Sequence, residues 1–485
     1  MALVEATLAA PAAVLDPLRK PHQPRIGVFG IGLAAYWPQF PNLKERLEKY
    51  QREVEARIQQ FGATVISAGL VDTPAAAAEA GQSFARADLD LILCYIGTYA
   101  TSSQVLPVVQ RAKAPVLVLN LQPVEALDYE RTDTAEWLAN CSACCTPEIA
   151  NAFSRARVKF RVVSGMLRDD PVAWNEIGEW CHAAGVVKAL HASRIGFLGH
   201  TYPGMLDMYS DFTMVTAQTG AHIEVLEMCD LEKCCAEAAA REISEKLEVT
   251  RDIFTLENVS GEDLEWAVRV AAGLDRLAAK YDLAGLTYYY RGLDGNPYER
   301  LGAGLILGNS LLTARGIPAS GEGDLKTCLA MMILDRLGAG GSFTEFYAMD
   351  FRGNFMLMGH DGPGHLAISG HQPVLRGLGL YHGKQGCGVS VEFRVKTGPI
   401  TLLGITQTAD GSLKMVVAEG ESVPGPTLRI GNTNSRLRFA VGPREFVNRW
   451  SQEGPTHHCA LGVGHKKAAI AKVSELMNVP LASVC

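Results

Sequence analysis

Carboxylate and imidazole side chains stand beside glycine-rich turns at four places in the last third of the chain. Two carboxylates and two imidazoles from such places can enclose one divalent metal ion and leave coordination positions open for a substrate. Each place alone is weak evidence, because a glutamate beside glycine is usually solvated and a histidine usually hydrogen-bonds in a core or at the surface. The metal-site and structural interpretations both stay open at this point. The places are SGEGDLKT with Glu322 and Asp324, SFTEFYAMDF with Glu345 and Asp350, MGHDGPGH with His360 and His365, and GPTHHC with His457 and His458.

A glycine pattern near the N-terminus suggests a different chemistry, which its neighbours disfavour. In RIGVFGIGLAAYW, Gly30, Gly32 and Ala35 have the G-x-G-x-x-A spacing of a dinucleotide-binding turn. That turn binds pyrophosphate only where a helix opens at the glycines, and Pro38 would break a helix begun there. The acidic residue expected about 20 positions later falls inside a helical pattern, around Glu53. We expect instead that these glycines let a loop turn tightly.

Three of the twelve cysteines raise the question of a zinc site. Cys141 and Cys144 form a C-x-x-C pair beside Cys145, and such a pair is half of many zinc sites. No second pair of cysteines or histidines follows at the usual interval, so small residues packed around a helix start at Pro147 are the favoured interpretation. The remaining cysteines lie among aliphatic residues, which predicts reduced thiols of a cytoplasmic protein.

Length and charge restrict the class of protein. A chain of 485 residues with 48% hydrophobic content predicts several domains. A net charge of −7 disfavours binding to nucleic acid or to an acidic membrane surface. No segment has the roughly 18 uninterrupted apolar residues of a membrane helix. Residues 1–24 contain Glu5 and lack basic residues before their apolar stretch, so we interpret them as a loose arm and not as a signal peptide.

Short apolar runs alternate with helical patterns through the first two thirds of the chain. The strongest helix starts after Asn42, a possible cap, and its apolar residues recur every three or four positions up to Phe61. Such alternation predicts two α/β domains with parallel sheets and helices on their faces. The predicted strands are RIGVFG, ATVISAG, DLDLILCYIG and PVLVLN in the first domain, and RIGFLG and AGLTYYY in the second.

The pattern changes to antiparallel β after about residue 375. In VSVEFRVK, from Val389 to Lys396, apolar and polar residues alternate strictly, which predicts a half-buried strand. Two further runs flank Asp410 and Gly411, a strong hairpin signal. A barrel or sandwich closed by a helix over about 466–477 is therefore expected.

Four motifs together resemble one known family. EGDLKT, SFTEFY, LMGHDGPGH and HHC occur in the order of the metal-binding elements of L-arabinose isomerases, which belong to the L-fucose and L-arabinose isomerase superfamily. The resemblance extends from about Ile26 to the end and is strongest over 320–370. It implies an α/β fold of two Rossmann-like domains followed by a β-rich domain with an antiparallel barrel. The expected boundaries are 1–24 for the arm, 25–170 and 171–325 for the two Rossmann-like domains, and 326–485 for the C-terminal domain.

The resemblance also implies a reaction. Glu322, Glu345, His360 and His458 match the ligands of a divalent ion, typically Mn²⁺, with Co²⁺, Fe²⁺, Zn²⁺ or Mg²⁺ as alternatives. Family members convert an aldose to a ketose through an enediolate, which such an ion would stabilise. One glutamate would remove the proton from C2 and the other would relay protons between O1 and O2, and which of them is the base stays open.

Further residues match the expected sugar pocket. His457 either binds a sugar oxygen or supports its neighbouring ligand through a hydrogen bond. Aromatic faces suit the C–H surfaces of sugars, although each aromatic residue could equally be part of a core. The segments GIGLAAYWPQF and CSACCTPEIANAF depart from the arabinose enzymes, so the substrate need not be L-arabinose. The aromatic candidates are Tyr347, Tyr290 and Tyr99, together with Tyr36 and Trp37 on the glycine loop.

Three functions stay open on the sequence. An aldose–ketose isomerase is the leading one, a non-catalytic sugar-binding relative is the second, and a sugar epimerase using the same metal site is the third. The resemblance further implies a homo-oligomer, a trimer or hexamer, with sites at subunit boundaries. The expected partner is a small sugar, with no nucleic acid and no membrane.

Overall fold

The computed structural model describes residues 17–18, 22–291, 295–378, 388–428 and 430–485, and the backbone of 380–381 and 384–385. Most of the predicted N-terminal arm lies outside these residues. The described residues from His22 onward divide into two compact units, His22–Lys188 and Ala189–Cys485. The four-part division expected from the sequence stays a prediction. Among the described helices, none combines the length and apolarity needed to cross a membrane.

The unit His22–Lys188 is built on one parallel sheet, as the alternating pattern predicts. Its five strands lie in the order β2-β1-β3-β4-β5, and every pairing is parallel. The strands are β1 Arg25–Ile31, β2 Thr64–Val71, β3 Leu91–Tyr95, β4 Val116–Gln122 and β5 Phe160–Met166, and the helices are α1 Leu43–Gln60, α2 Pro74–Arg86, α3 Leu106–Ala112, α4 Thr134–Leu138, α5 Thr146–Arg155 and α6 Pro171–His191.

The start of this unit confirms that the glycine pattern is not a dinucleotide turn. Only a short 3₁₀ turn, Ala34–Tyr36, precedes α1, so no α-helix opens at the glycines. Gly30 and Gly32 do not have positive φ, and the expectation of a tight turn there is wrong. They are needed for close packing, since a Cβ on Gly30 would lie 2.5 Å from Gln51 Oε1 and one on Gly32 would lie 2.9 Å from the Trp37 ring. The predicted helix α1 is confirmed, but the Asn42 side chain makes no capping hydrogen bond.

The cysteine segment confirms the structural interpretation. Cys145 immediately precedes α5, and both it and Cys141 are buried. Burial raises the pKa of Cys141 to about 12 and that of Cys145 to about 11, which disfavours the thiolate that zinc requires. Neither group of side chains with metal-ligand spacing in the described part of the chain contains a cysteine. All eleven described cysteines are free thiols.

The second parallel sheet begins the unit Ala189–Cys485 and is also confirmed. Its four strands lie in the order β10-β9-β6-β7, with all pairings parallel. The elements of this region are β6 Arg194–Gly199, α7 Phe212–Thr219, β7 His222–Leu226, α8 Met228–Ala236, α9 Ala240–Ile253, β8 Thr255–Glu257, α10 Gly261–Lys280, β9 Gly285–Tyr289, α11 Glu299–Ala303, α12 Leu305–Ala314, β10 Ala319–Ser320 and α13 Leu325–Arg336.

A seven-stranded sheet dominates the C-terminal region, in the order β17-β20-β11-β12-β19-β18-β21. β18 also pairs with β17, which closes the ladder, but β21 joins β18 in parallel. The β-rich domain is therefore confirmed, although its mixed sheet is not a clean antiparallel barrel. Its elements are β11 Gly340–Asp350, β12 Phe355–His360, β13 Val374–Gly377, β14 Leu380–Tyr381, β15 Lys384–Gln385, β16 Val389–Glu392, β17 Gly398–Gln407, β18 Leu413–Val423, β19 Thr433–Phe439, α14 Pro443–Gln452, β20 His458–Val463, α15 Lys467–Met477 and β21 Leu481–Ser483.

Two local expectations in this region have different outcomes. The hairpin is confirmed, because β17 and β18 pair in antiparallel around Asp410 and Gly411. The half-buried strand is wrong, because all four residues of β16 are buried, including Ser390 and Glu392. Glu392 tolerates burial because Arg376 binds its Oε1 at 3.0 Å from the neighbouring β13.

Candidate metal centre

The sheet register brings three of the predicted ligands onto neighbouring strands. Glu345 lies on β11, directly opposite His458 on β20 and opposite Gly359 on β12. His360 is the last residue of β12, immediately after Gly359. Directly opposite residues of an antiparallel pair have their Cβ atoms about 4.5–5.5 Å apart. Residues far apart in the sequence therefore meet at one end of these strands.

The fourth predicted ligand, Glu322, lies on the turn between β10 and α13. It adopts the left-handed conformation at φ 60°, and Gly323 follows at φ 73°. The left-handed region is uncommon for a residue with a Cβ and is often found at functional sites. The Tyr202 amide donates to the Glu322 carbonyl at 2.9 Å. A Cβ on Gly323 would lie 2.5 Å from His200 O, so the residue after Glu322 must be glycine.

The four predicted ligands converge. The Nε2 atoms of His360 and His458 are 3.2 Å apart. Glu322 Oε1 lies 4.0 Å from His360 Nε2, and its Oε2 lies 3.8 Å from His458 Nε2. Ligand atoms of Glu345, His360 and His458 all lie within 4.8 Å of one another. His458 thus belongs to two overlapping groups, one with Glu345 and His360 and one with Glu322 and His457.

A buried carboxylate orients the ring of His458. Asp324 Oδ2 lies 3.1 Å from His458 Nδ1, so a proton on Nδ1 leaves the Nε2 lone pair directed at the cluster. Asp324 is itself fixed by Thr327, whose amide and hydroxyl donate to it at 3.0 and 2.8 Å. Burial lowers the pKa of His458 to about 4 despite this carboxylate. A neutral imidazole is the form that binds metals.

His360 has a similar neighbour. Its Nδ1 lies 3.1 Å from Asp361 Oδ1 and 2.8 Å from the Gly362 nitrogen. Burial opposes the charged ring, but Asp361 raises the pKa of His360 above its usual value. The Gly362 amide donates to this Nδ1, and together with Asp361 it holds the ring with Nε2 directed toward His458. The Phe343 ring packs against both imidazoles, with its centroid 4.4 Å from each.

The surroundings of the Glu322 carboxylate indicate whether a cation fits at this site. Its Oε2 atom is buried and has no hydrogen-bond partner among the residues that the structure describes. Burial raises the pKa of Glu322, which shows that its charge is poorly solvated. A buried acceptor without a partner is costly, and a divalent ion would satisfy it. Two carboxylates and two imidazoles also suit Mn²⁺ and other first-row divalent ions.

His457 joins the cluster from its exposed side. Its ring centroid lies 3.9 Å from that of His458, and ligand atoms of Glu322, His457 and His458 all lie within 4.8 Å of one another. Asp207 Oδ2 lies 2.7 Å from His457 Nδ1 and accepts from the His457 amide at 2.9 Å. The hydrogen bond from His457 holds the pKa of Asp207 well below its usual range. The ring is therefore fixed with Nε2 available.

Comparisons with known proteins agree with this geometry. Residues 375–484 match the family model described as "L-fucose isomerase, C-terminal domain". An L-arabinose isomerase from Nocardioides sp. is 23% identical over 81% of this chain and 80% of its own. A sulfoquinovose isomerase from Alkalicoccus urumqiensis is 22% identical over 65% of this chain and 70% of its own.

The chain is similar to L-fucose and L-arabinose isomerases. These matches also confirm the predicted class of enzyme, an isomerase. An L-arabinose isomerase from Saccharophagus degradans is a further match, 23% identical over 60% of each chain. A solute-binding protein from Actinobacillus succinogenes with bound D-allose matches at 15% identity over 59% of this chain and 82% of its own. Its TM-score of 0.17 carries no argument.

Tyr347 lies beside the candidate ligands. It is the extra residue of a β-bulge between Phe346 and Ala348, which changes the direction of a side chain within a strand. A Cβ on Gly359 would lie 2.9 Å from Tyr347 Cε2, so the ring covers the glycine opposite Glu345. Its hydroxyl accepts from Asn432 Nδ2 at 2.9 Å.

The other predicted pocket aromatics are not brought to the cluster by any described contact. Tyr290 donates to Asn296 Oδ1 at 3.0 Å and packs edge-on against Tyr298. Tyr36, Trp37 and Tyr99 belong to the unit His22–Lys188. Within it, Trp37 Nε1 donates to Asp72 Oδ2 at 2.8 Å, and the Tyr36 ring packs edge-on against Phe40. The pocket roles of these residues stay predictions.

Sequence reasoning named Asp324 without its contact to His458, and it missed two further carboxylates that contact histidines, Asp361 and Asp207. Asp324 and Asp361 lie inside the motifs that contain Glu322 and His360, so their proximity to the ligands was a usable signal. Asp207 lies 250 positions before His457, and nothing in its surroundings marks it. The Tyr202 and Tyr289 rings, 4.6 Å apart, were also not predicted. Glu322 is one of the charges that raise the pKa of Tyr289, to about 12, after burial as the main cause.

Proposed function

We propose that this protein is a metal-dependent aldose–ketose isomerase that acts through an enediolate. The observation that carries the proposal is the buried Glu322 Oε2, which has no hydrogen-bond partner among the described residues. This oxygen lies 3.8 Å from His458 Nε2. His458 Nε2 in turn lies 3.2 Å from His360 Nε2. A divalent cation would satisfy the Glu322 oxygen. The names of the relatives, L-arabinose isomerase and sulfoquinovose isomerase, support a sugar as the substrate.

Glu322, Glu345, His360 and His458 would hold the metal ion. Mn²⁺ is the proposed ion, with Co²⁺, Fe²⁺, Zn²⁺ and Mg²⁺ as alternatives, since the mixed oxygen and nitrogen donors suit this series. When bound, such a cation would supply Lewis-acid chemistry, which polarises a carbonyl and stabilises negative charge on oxygen.

The two glutamates would also carry the protons. Conversion of an aldose to a ketose removes a proton from C2, delivers one to C1 and moves one between O1 and O2. One carboxylate exchanges protons with the carbons and the other with the oxygens. Glu322 comes from the turn before α13 and Glu345 from β11, so the two carboxylates would be held independently.

Neighbouring side chains would bind and shield the sugar. His457, with its Nδ1 held by Asp207, offers Nε2 to a sugar hydroxyl. Tyr347 presents an aromatic face beside Glu345, which suits the C–H surface of a sugar ring. Phe343 packs behind both imidazoles and keeps water away from their rings.

The experiment that tests the proposal combines metal removal with product analysis. Purified protein is dialysed against a chelator, divided, and incubated with and without Mn²⁺ on a panel of pentoses, hexoses, deoxysugars and sulfoquinovose. NMR in D₂O then follows the products and the loss of the C2 proton signal. A ketose formed only with metal supports the proposal. A C2 epimer in place of a ketose would indicate an epimerase, and sugar binding without conversion that survives metal removal would indicate a binding protein.

A further inference from the structure

We infer that Asp207 and Lys326 are positioning residues, which hold one loop, residues 200–210, against both Glu322 and His457. The inference rests on the proposed isomerase function. It adds how Glu322 and His457, which are far apart in the sequence, are held in fixed positions relative to each other. The loop follows β6, whose last residue is Gly199, at the carboxyl end of the second parallel sheet. Ligand sites of parallel sheets form at that end.

Lys326 fixes the loop through hydrogen bonds from its buried ammonium group. Its side chain is 1% exposed, although lysine is almost never fully buried without partners. Nζ donates to Met208 O and Tyr209 O, both at 3.1 Å, and to Ser210 Oγ at 2.9 Å. All three ammonium protons are thus used on consecutive loop residues. Burying this group is costly, so its function is to fix the loop.

Asp207 connects the anchored loop to His457. One oxygen, Oδ2, accepts from the His457 amide at 2.9 Å and lies 2.7 Å from Nδ1 of the same residue. The contact with Nδ1 selects the tautomer that keeps Nε2 free. The contact with the amide fixes the backbone next to His458. Asp207 therefore determines both the direction and the protonated nitrogen of a ring at the edge of the site.

The same loop supports the turn that carries Glu322. The Tyr202 amide donates to the Glu322 carbonyl at 2.9 Å, and His200 O lies against the Gly323 backbone. Apolar burial in the loop comes from Met208, which is fully buried, whereas Leu206 is 74% and Tyr209 50% exposed. The position of the loop also depends on polar contacts, above all those of Lys326 and Asp207.

The decisive variant is Asp207→Asn, and the matched control is Asp211→Asn. Asp211 lies four residues further on and loses the same charge, but its side chain caps α7 through the Met214 amide, and asparagine caps equally well. We expect Asp207→Asn to lower kcat about tenfold to a hundredfold while Asp211→Asn stays within twofold of wild type. Metal content should stay at the wild-type level in both.

A double-mutant cycle separates positioning from general destabilisation. If Asp207 acts through His457, Asp207→Asn costs nothing further once His457→Ala is present. If instead it only stabilises the fold, the two losses in kcat/KM multiply, which would overturn the inference. Lys326→Met should also lower kcat, whereas Lys414→Met, which removes the hydrogen bonds of Lys414 to Glu453, should not.

A readout without metal or turnover makes the inference independent of the proposed reaction. In ¹⁵N-histidine-labelled, metal-free protein, the His457 signals, assigned by their absence in His457→Ala, should show a protonated Nδ1. Asp207→Asn should shift them toward a tautomer mixture, and Asp211→Asn should not. Unchanged signals in Asp207→Asn overturn the inference. If Asp207→Asn shows this shift but the wild-type protein converts no sugar, only the proposed function is overturned.

Discussion

Glu322 combines two unfavourable features, and both are explained by one ligand. Its backbone is left-handed, and its buried Oε2 has no partner among the described residues. Left-handed backbone costs of order 1 kcal/mol for a residue with a Cβ, and an unpaired buried acceptor costs about 1–3 kcal/mol. Neighbouring backbone contacts hold the strained turn in place. A divalent ion at this carboxylate would offset the second cost.

Glu322→Gln should therefore separate metal binding from stability. The amide keeps the shape of the side chain but removes the charge, so the metal-free variant should be at least as stable as metal-free wild type. Added Mn²⁺ should no longer raise its Tm, and isomerase activity should be lost. Thermal unfolding with and without Mn²⁺ measures both effects. A variant stabilised by Mn²⁺ as strongly as wild type would contradict a role of Glu322 as ligand.

Asp324→Asn tests whether the buried carboxylate tunes its histidine. Asparagine still caps α13, but it no longer fixes the proton on His458 Nδ1. We expect metal affinity to fall about tenfold to a hundredfold, measured by titration calorimetry. Asp335→Asn is the matched control, because Asp335 lies 3.2 Å from a different buried histidine, His365, which is outside both ligand groups. Equal losses in the two variants would contradict a specific role for Asp324.

At this scale the sequence marked side chains that the structure brings near one another, but not the aspartate that holds His457. Glu322, Glu345, His360 and His458 could be found because glycine-rich motifs mark them and the motifs keep a characteristic order. Asp207 could not be found, because its contact with His457 depends on the shape of a loop that ordinary residues form. A hydrogen bond between residues 250 positions apart leaves no local pattern.

At the scale of elements, the site depends on the contact between β11, β12 and β19. The bulge at Tyr347 turns that ring over Gly359, and Gly359 also lies against the Thr433 carbonyl of β19. The absence of a side chain at Gly359 thus lets three strands approach beside Glu345 and His360. Buried residues of α10 and α12 share one core with β12 and β17–β19, which makes this sheet a firm base for the ligands.

Gly359→Ala should disturb both the sheet and the site. The new Cβ would overlap Thr433 O and lie 2.9 Å from Tyr347 Cε2, so the strands must separate. We expect a loss of about 1–3 kcal/mol in the free energy of unfolding, together with weaker metal binding. Gly302→Ala in α11 is the control, since nothing lies within 4 Å of its new Cβ and alanine favours helix. Denaturant unfolding of both variants would decide, and an unchanged midpoint for Gly359→Ala would contradict the packing argument.

Periodicity predicted α1 and its buried face correctly, but it mispredicted the burial of β16. α1 shows its buried face every three or four residues, and its prediction is confirmed. β16 alternates polar and apolar residues, yet Ser390 and Glu392 are as buried as their neighbours, because Glu392 is paired with Arg376. The parallel joining of β21 to β18 was equally beyond prediction, since strand order depends on contacts between distant segments.

At the scale of the whole molecule, the candidate ligands all belong to the unit Ala189–Cys485. None of the four comes from the sheet β1–β5. An ion that binds only the folded state stabilises it by RT ln(1 + [L]/Kd), about 2.7 kcal/mol at a hundredfold excess over Kd. This stabilisation acts directly on the unit that supplies the ligands. Trimer or hexamer assembly stays a prediction from the resemblance.

Metal binding should therefore slow amide hydrogen exchange in one part of the chain and not in another. With Mn²⁺ at a hundredfold excess over Kd, amides of β11, β12 and β20 that exchange only through unfolding of this unit should slow up to about a hundredfold. Amides of β1–β5 should gain no direct protection. Mass spectrometry of peptides from both regions measures the contrast, with Glu322→Gln as the variant in which it disappears. Exchange in β11, β12 and β20 that does not respond to any divalent ion would mean that these side chains do not form a metal centre, because a bound ion cannot fail to stabilise the strands that ligate it.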